Sequence, residues 1–411
     1  MTTFSARLPR FFAWFLAVLA MVMGSAPARI TPLAPVPDWN HLEKYQETIT
    51  HKEFSDLLNR VYAPGGAAAG VIVIEADDAK ITTREGKDPF ILRFAKDQAE
   101  AKAVPGYWRP KRGISTPPAD KPLAGLKIAL DPGHLGGSWA KMEERWFQVG
   151  KTKPVTEGDM TLLVAKQLAS RLKSLGAEVF LTRSKPGPVT SLRPEKLKKE
   201  AKLSLTDKQR PVTPEALKKE SERLFYRVGE IRRRATLVND VIRPDLVLCL
   251  HFNAEAWGNE KNPQLVDANH LHFLVTGSWS AEELTYEDQR FDMLNKMLGR
   301  SFSEEVAVTE AIAKSMARET GLPPYVYLQS NAVRVNENPY IYARNLLANR
   351  LFLCPVVYVE PYVMNSRVAF ARIQAGDYEG RREFDGVLRK SIYREYVDSV
   401  VDGLVAYYSN R

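Results

Sequence analysis

LKIALDPGHLGGSW, residues 126–139, sets an apolar run of strand character directly against a proline-glycine turn, a histidine and a glycine pair. Open α/β sheets present their functional groups at the carboxyl ends of their strands, and a histidine held in such a turn fits that position. A glycine-rich turn after a strand can also cradle phosphate, but that chemistry wants a lysine or a fuller glycine pattern, and this stretch has neither. Taken singly, His134 is equally a structural turn residue, so any chemical partners must come from elsewhere in the chain.

Working outward, the pattern is one of strands alternating with helices. A helix from about 158 carries Val164, Leu168, Leu172 and Leu175 at helical spacing, with Gly176 as its stop, and AEVFLT at 177–182 is a second strand. Thr213 and Pro214 suit the cap and first turn of one long helix through Leu217, Leu224, Val228, Ile231, Ala235 and Val238. It ends before Pro244 and delivers the chain into the buried strand DLVLCLHF. HLHFLVT at 270–276 and CPVVYVEPY at 354–362 are further strands. A helix through Val308, Ile312, Ala313 and Met316 stops near Gly321, and 383–410 reads as a closing helix. This order predicts an α/β fold, a mostly parallel twisted sheet with helices on both faces.

Ahead of it lies a different texture. RITPLAPVPDWN is a proline-rich leader, Thr50 with Glu53 makes a capping box that opens a helix to Tyr62, and VIVIEA and FILRFA are strand-like. The expected organisation is a segment at 1–28, a small helix-plus-strands unit at 29–120 and a main domain at 121–411. The main domain carries charged helical insertions near 190–234 and 280–305. Arg7 and Arg10 precede FFAWFLAVLAMVMG, and SAPA follows at 25–28. That apolar run is shorter than the ~20 residues of a spanning helix, so a cleavable export signal is expected, with an uncleaved tether as the alternative. The chain is then periplasmic or secreted, with no stable membrane anchor. Cys249 and Cys354 both lie in apolar runs and are expected to be free thiols.

The net charge of +9 is concentrated, since 190–234 holds fourteen Lys and Arg against seven Asp and Glu. Such a block either attracts an anionic polymer of the cell wall or membrane, rather than nucleic acid, or is a solvated helix face.

Polar residues interrupt the apolar strand ends at three places: His134, His251 after LVLCL, and Glu360 after VVYV. Glu157, in KPVTEGDM, opens the helix that follows the first of these strands. Two imidazoles and one carboxylate make three protein ligands for Zn2+ with the fourth position open, as in catalytic zinc sites, and the other carboxylate is then free to act as general base. Each residue also has a structural reading: a turn histidine, a helix N-terminal charge, a core histidine and a strand-end ion-pair partner. His41 and His51 are expected at the surface, while His270 and His272 share one strand face and can support the site.

LKIALDPGHLGG, TEGDMTLLVAKQLASRLKSLGAEVFLTRS, RATLVNDVIRPDLVLCLHFNA and RNLLANRLFLCPVVYVEPYVMNS resemble, in order, the four blocks of the zinc-dependent N-acetylmuramoyl-L-alanine amidases of the type 3 catalytic family. The resemblance implies His134, Glu157 and His251 as metal ligands and Glu360 as the catalytic glutamate. It implies peptidoglycan as substrate, cut at the amide joining N-acetylmuramic acid to L-alanine. The family commonly has glycine after the first histidine and lysine after the first glutamate, where this chain has Leu135 and Gly158. The interval from His251 to Glu360 also looks extended by insertion. Some members carry an inserted helix that covers the zinc until a protein partner removes it, and 280–305 is expected to be either such a segment or a surface excursion. The rival readings are a zinc peptidase or carboxypeptidase acting within the stem peptide, and a non-catalytic wall-binding protein.

Overall fold

The computed structural model describes residues 29–84, 86–259, 262–328 and 331–409; the expected export segment at 1–28 lies outside them. Thr50 caps α1 (His51–Leu57), its hydroxyl accepting from the Glu53 amide, and the helix runs on through a π turn to Tyr62. Three antiparallel strands follow, β1 (Ile72–Ile74), β2 (Asp78–Ile81) and β3 (Phe90–Arg93). The sequence pattern missed β2 because DAKI is so short that its two inward residues, Ala79 and Ile81, barely alternate with the charges between them.

The main sheet has seven strands: β4 (Lys127–Pro132), β7 (Glu178–Leu181), β8 (Leu246–Leu250), β9 (Leu271–Thr276), β10 (Val333–Arg334), β11 (Ile341–Arg344) and β12 (Val356–Pro361). The short pair β5 (Trp146–Phe147) and β6 (Val155–Thr156) lies outside it. The order is β10-β11-β9-β12-β8-β4-β7, with β9 antiparallel to β12, β10 antiparallel to β11, and the other pairs parallel. β8 is buried along its whole length, as a strand covered on both faces must be.

Alternate residues of these strands feed two separate cores. Ile128, Leu130, Leu248, Leu250, Phe273, Val357 and Val359 pack against one helical layer, α2 (Glu157–Ser174), α7 (Phe302–Thr320) and α10 (Ile392–Tyr408). Ala129, Val247, Cys249, Leu274 and Tyr358 face the opposite way, toward the long helix at 214–242 and α8 (Leu347–Leu351). That long helix is continuous but not uniform: α4 (Pro214–Arg223) and α5 (Glu230–Thr236) are each followed by a π turn, and Arg243 ends it with φ +53°. With α3 (Lys198–Asp207) it forms a basic hairpin. Cys249 and Cys354 are both buried free thiols.

Two expectations need correction. The 383–410 segment is not one helix, because β13 (Arg382–Phe384) and β14 (Val387–Arg389) form a hairpin before α10 begins at Ile392. Its turn is Asp385-Gly386, both at positive φ, a pair that favours a tight hairpin and breaks a helix. The second concerns 280–305, which neither covers the cleft described below nor makes a surface excursion. Its helix, α6 (Glu287–Leu298), is the seat of the N-terminal unit. Trp39 donates to Glu287 at 2.9 Å, Tyr45 to Asn295 at 3.3 Å, and Arg290 to the carbonyls of Thr82 and Thr83. Leu42, Phe54, Tyr62 and Leu92 of that unit also join the same apolar core as the main sheet. The remaining helix, α9 (Arg367–Gln374), packs beside α10.

Candidate active site

Strand register brings the site together. Pro132 of β4 lies opposite Leu250 of β8, and Leu250 lies opposite Val359 of β12, so three parallel strands end on one line. His134, His251 and Glu360 are the next polar residues past it. The sheet's edge thus does what the scattered sequence positions could not show by spacing.

Glu157 completes the cluster from the first position of α2, where a carboxylate also complements the helix dipole. Its two oxygens lie 3.1 Å from His134 Nε2 and 3.1 Å from His251 Nδ1. Suitable donor atoms of the three residues all lie within 4.8 Å of one another. With zinc–nitrogen and zinc–oxygen bonds of about 2.0–2.2 Å, tetrahedral ligands sit roughly 3.3–3.6 Å apart, so this donor set fits the ion. The electrostatics agree. Burial would lower the His134 imidazole, yet the Glu157 and Glu143 carboxylates raise it to about 9. Burial would raise Glu157, but His134 and His251 hold it well below the carboxylate range. These groups are arranged to stabilise positive charge.

The supporting residues are ones that sequence reasoning missed. Glu143, 2% exposed, faces His134 Nδ1 at 3.4 Å and accepts the amides of Leu135 and Gly136, so it orients the ring with Nε2 toward Glu157. His134 itself is held at φ +62°. Two buried arginines fix that turn: Arg183 donates to the carbonyls of Pro132, Gly133 and Gly158, and Arg234 to Asp131 and the carbonyls of Pro132 and His134. Their signals, TRS after a strand and RRRAT in a basic helix, look in sequence like ordinary surface arginines.

Two glycines are required by contact. A Cβ at Gly133 would sit 2.2 Å from the His251 ring, and one at Gly158 would sit 2.2 Å from the Gly136 amide nitrogen. The second contact explains why no lysine follows Glu157: the backbones of the DPGHLGG turn and α2 cross there. Leu135 is explained too. It is 1% exposed, packed among Leu197, Ala201, Leu224, Phe225 and Val228 of the basic hairpin.

Glu360 opens into the same cleft of about 720 Å3, which His134, Glu157, His251, His272 and Arg344 also line. Burial pushes its carboxyl up to about 7, and Glu157 adds to this against the pull of His251. A carboxyl poised there can accept and return a proton near neutrality. Tyr358 stacks on His251 at 5.0 Å. Of the two histidines on β9, His272 lies opposite Glu360 in register and bonds Tyr327 at 3.1 Å, while His270 meets Glu255 at 3.0 Å. His41 and His51 are on the N-terminal unit, away from the cleft.

A family model described as N-acetylmuramoyl-L-alanine amidase matches residues 128–381. The chain belongs to this family. It is therefore a peptidoglycan hydrolase that cuts the amide between N-acetylmuramic acid and L-alanine, rather than a peptidase of the stem, and it acts outside the cytoplasm. Similar solved structures include the amidase Ami1 from Mycobacterium smegmatis, at 15% identity and TM-score 0.39, covering 70% of this chain and 99% of that one. AmiC2 of Nostoc punctiforme is similar at 14% identity and TM-score 0.37, covering 69% and 96%. CwlD from Clostridioides difficile, solved in complex with the GerS lipoprotein, is similar at 13% identity and TM-score 0.39, covering 70% and 100%. No curated protein matches the chain. Among the described residues no helix is long and apolar enough to cross a membrane.

Proposed function

We propose that this amidase works with zinc held by His134, Glu157 and His251, and that Glu360 is its general base and acid. The observation that carries the reading is the convergence of three donor groups within 4.8 Å in a cleft that Glu360 also lines. A zinc ion there would supply Lewis acidity, bringing water within reach of deprotonation near neutral pH. The chain's own groups do the rest. Glu360 takes one proton from the attacking water as its oxygen bonds to the lactyl carbonyl carbon. It then returns that proton to the alanine nitrogen as the carbon–nitrogen bond breaks, and the water's second proton leaves the new carboxylic acid for the released amine, giving a carboxylate on the sugar and an ammonium on the peptide. Glu143 keeps His134 in the tautomer with Nε2 facing the site. The 1–28 segment, read as an export signal, would carry the chain to the compartment of its substrate.

The test is digestion of purified peptidoglycan with and without a chelator, with products identified by mass spectrometry. Free stem peptides beginning with L-alanine, lost on chelation and restored by zinc, are expected. Cleavage that ignores the chelator would overturn the metal reading, and a fully active Glu360→Gln enzyme would overturn the assignment of the base.

A further inference from the structure

The cleft wall opposite the metal cluster is built from the segment between His251 and Glu360, and it carries a charge that the hydrolysis above does not use. Arg344, at the end of β11, shares a sheet face with Tyr342 and reaches along it into the cleft. Its guanidinium contacts the Tyr327 hydroxyl at 3.4 Å and lies over that ring at 5.6 Å. Among the described residues no carboxylate forms an ion pair with it. Arg145, also on the cleft wall, is already engaged by Glu157 at 3.2 Å. His272 adds no charge, since burial holds its imidazole down to about 3. A half-buried guanidinium aimed into a substrate cleft without a counter-ion is a receptor for an anion, most effectively a planar carboxylate.

Its position says which one. Glu360 faces His272 across the strand pair, His272 bonds Tyr327, and Tyr327 bonds Arg344, so two side chains separate the base from the guanidinium. The Tyr327 hydroxyl lies 3.1 Å from His272 and 3.4 Å from Arg344, and a peptide advances about 3.8 Å per residue, which sets a carboxylate on the residue after the alanine roughly 7–8 Å from the scissile nitrogen, past the base and toward this wall. We propose that Arg344, braced by Tyr327, is a specificity-determining subsite for a free carboxylate on the second residue of the stem peptide. This rests on the amidase reading for its substrate, though not on any role of the metal.

The experiment compares two muramoyl tripeptides that differ only in whether the second residue carries a free α-carboxylate or the carboxamide. The wild-type ratio of kcat/KM is expected to favour the carboxylate tenfold or more, and the ratio in Arg344→Gln to fall to near one. Because that variant can also fail to fold, the metal-free wild type is titrated calorimetrically with the two released tripeptides, where the carboxylate form is expected to bind at least tenfold tighter. Equal kcat/KM for the pair, or equal binding, overturns the subsite. Absence of any hydrolysis would instead count against the amidase reading, while the same titration of Arg344→Lys, which keeps the charge but loses the planar fork and is expected to lose most of the preference, decides whether Arg344 binds the carboxylate.

Discussion

In the metal-free protein, replacing Glu360 with glutamine will raise stability near pH 8 and change it little near pH 4. The folded-state carboxyl is raised from 4.5 to about 7, chiefly by burial. A raised carboxyl favours folding fully while it is protonated below 4.5, and loses that advantage as pH climbs through about 7, where the buried group must ionise. At about 1.4 kcal/mol per tenfold change in proton affinity, the rise is worth at most ~3.5 kcal/mol. The cleft is open to water, which brings the expected gain of Glu360→Gln to roughly 1–2 kcal/mol at pH 8. Urea denaturation of chelated wild type and variant at both pH values measures it. Adding zinc should narrow the gap, because a nearby cation favours the ionised carboxylate. A gap of the same size at pH 4 and pH 8 would refute the claim that burial strains this carboxyl, and with it the physical basis for a base tuned to neutrality.

Glu143→Gln keeps the shape but weakens the carboxylate behind His134, and zinc affinity measured against a competing chelator is expected to fall 10–100-fold; an unchanged affinity would remove Glu143 from the support of the site. Gly158→Ala places a Cβ 2.2 Å from the Gly136 amide nitrogen and should cost about 3 kcal/mol in denaturant melts while also lowering zinc affinity through the displaced Glu157. Leu135→Ala empties a buried position against the basic hairpin, for a loss of about 2–5 kcal/mol and faster proteolysis within residues 197–228. Full resistance to protease in that variant would show that Leu135 does not anchor the hairpin.

The long central strands were legible as apolar runs, and His134, His251 and Glu360 stood out as the polar residues that break them, while Glu157 stood out only as the acid that opens the next helix. LVLCL before His251 and VVYV before Glu360 carry the same signature as LKIAL before the DPGH turn, and burial on both faces demands such runs. What the pattern could not give was register. Nothing in the sequence says that Pro132, Leu250 and Val359 stand abreast, and it is this alignment that turns residues from four segments into one cluster. The supporting shell was illegible for another reason. Arg183, Arg234 and Glu143 are charged residues in charged surroundings, and only tertiary contact buries them. The hairpin at 382–389 is different again: Asp385-Gly386 is a local turn signal, and the apolar residues that follow it mask it by continuing at helical spacing into α10.

Leu135 and Gly158, the two departures noted in the sequence, meet at one turn. The basic hairpin sends Leu224, Phe225 and Val228 beneath the DPGHLGG turn and Arg234 onto its carbonyls. An apolar residue after His134 then has a floor to pack on, whereas glycine there would leave a void lined by leucine and phenylalanine. On its other side the same turn crosses α2 at Gly136 so closely that a Cβ on residue 158 would lie 2.2 Å from the Gly136 nitrogen. Leu135, Gly158 and the hairpin are therefore one structural unit. Restoring the family's residues singly, by Leu135→Gly or Gly158→Lys, should each destabilise the protein. The position of Glu157 should suffer more from the second, because Gly158 is its immediate neighbour in the chain.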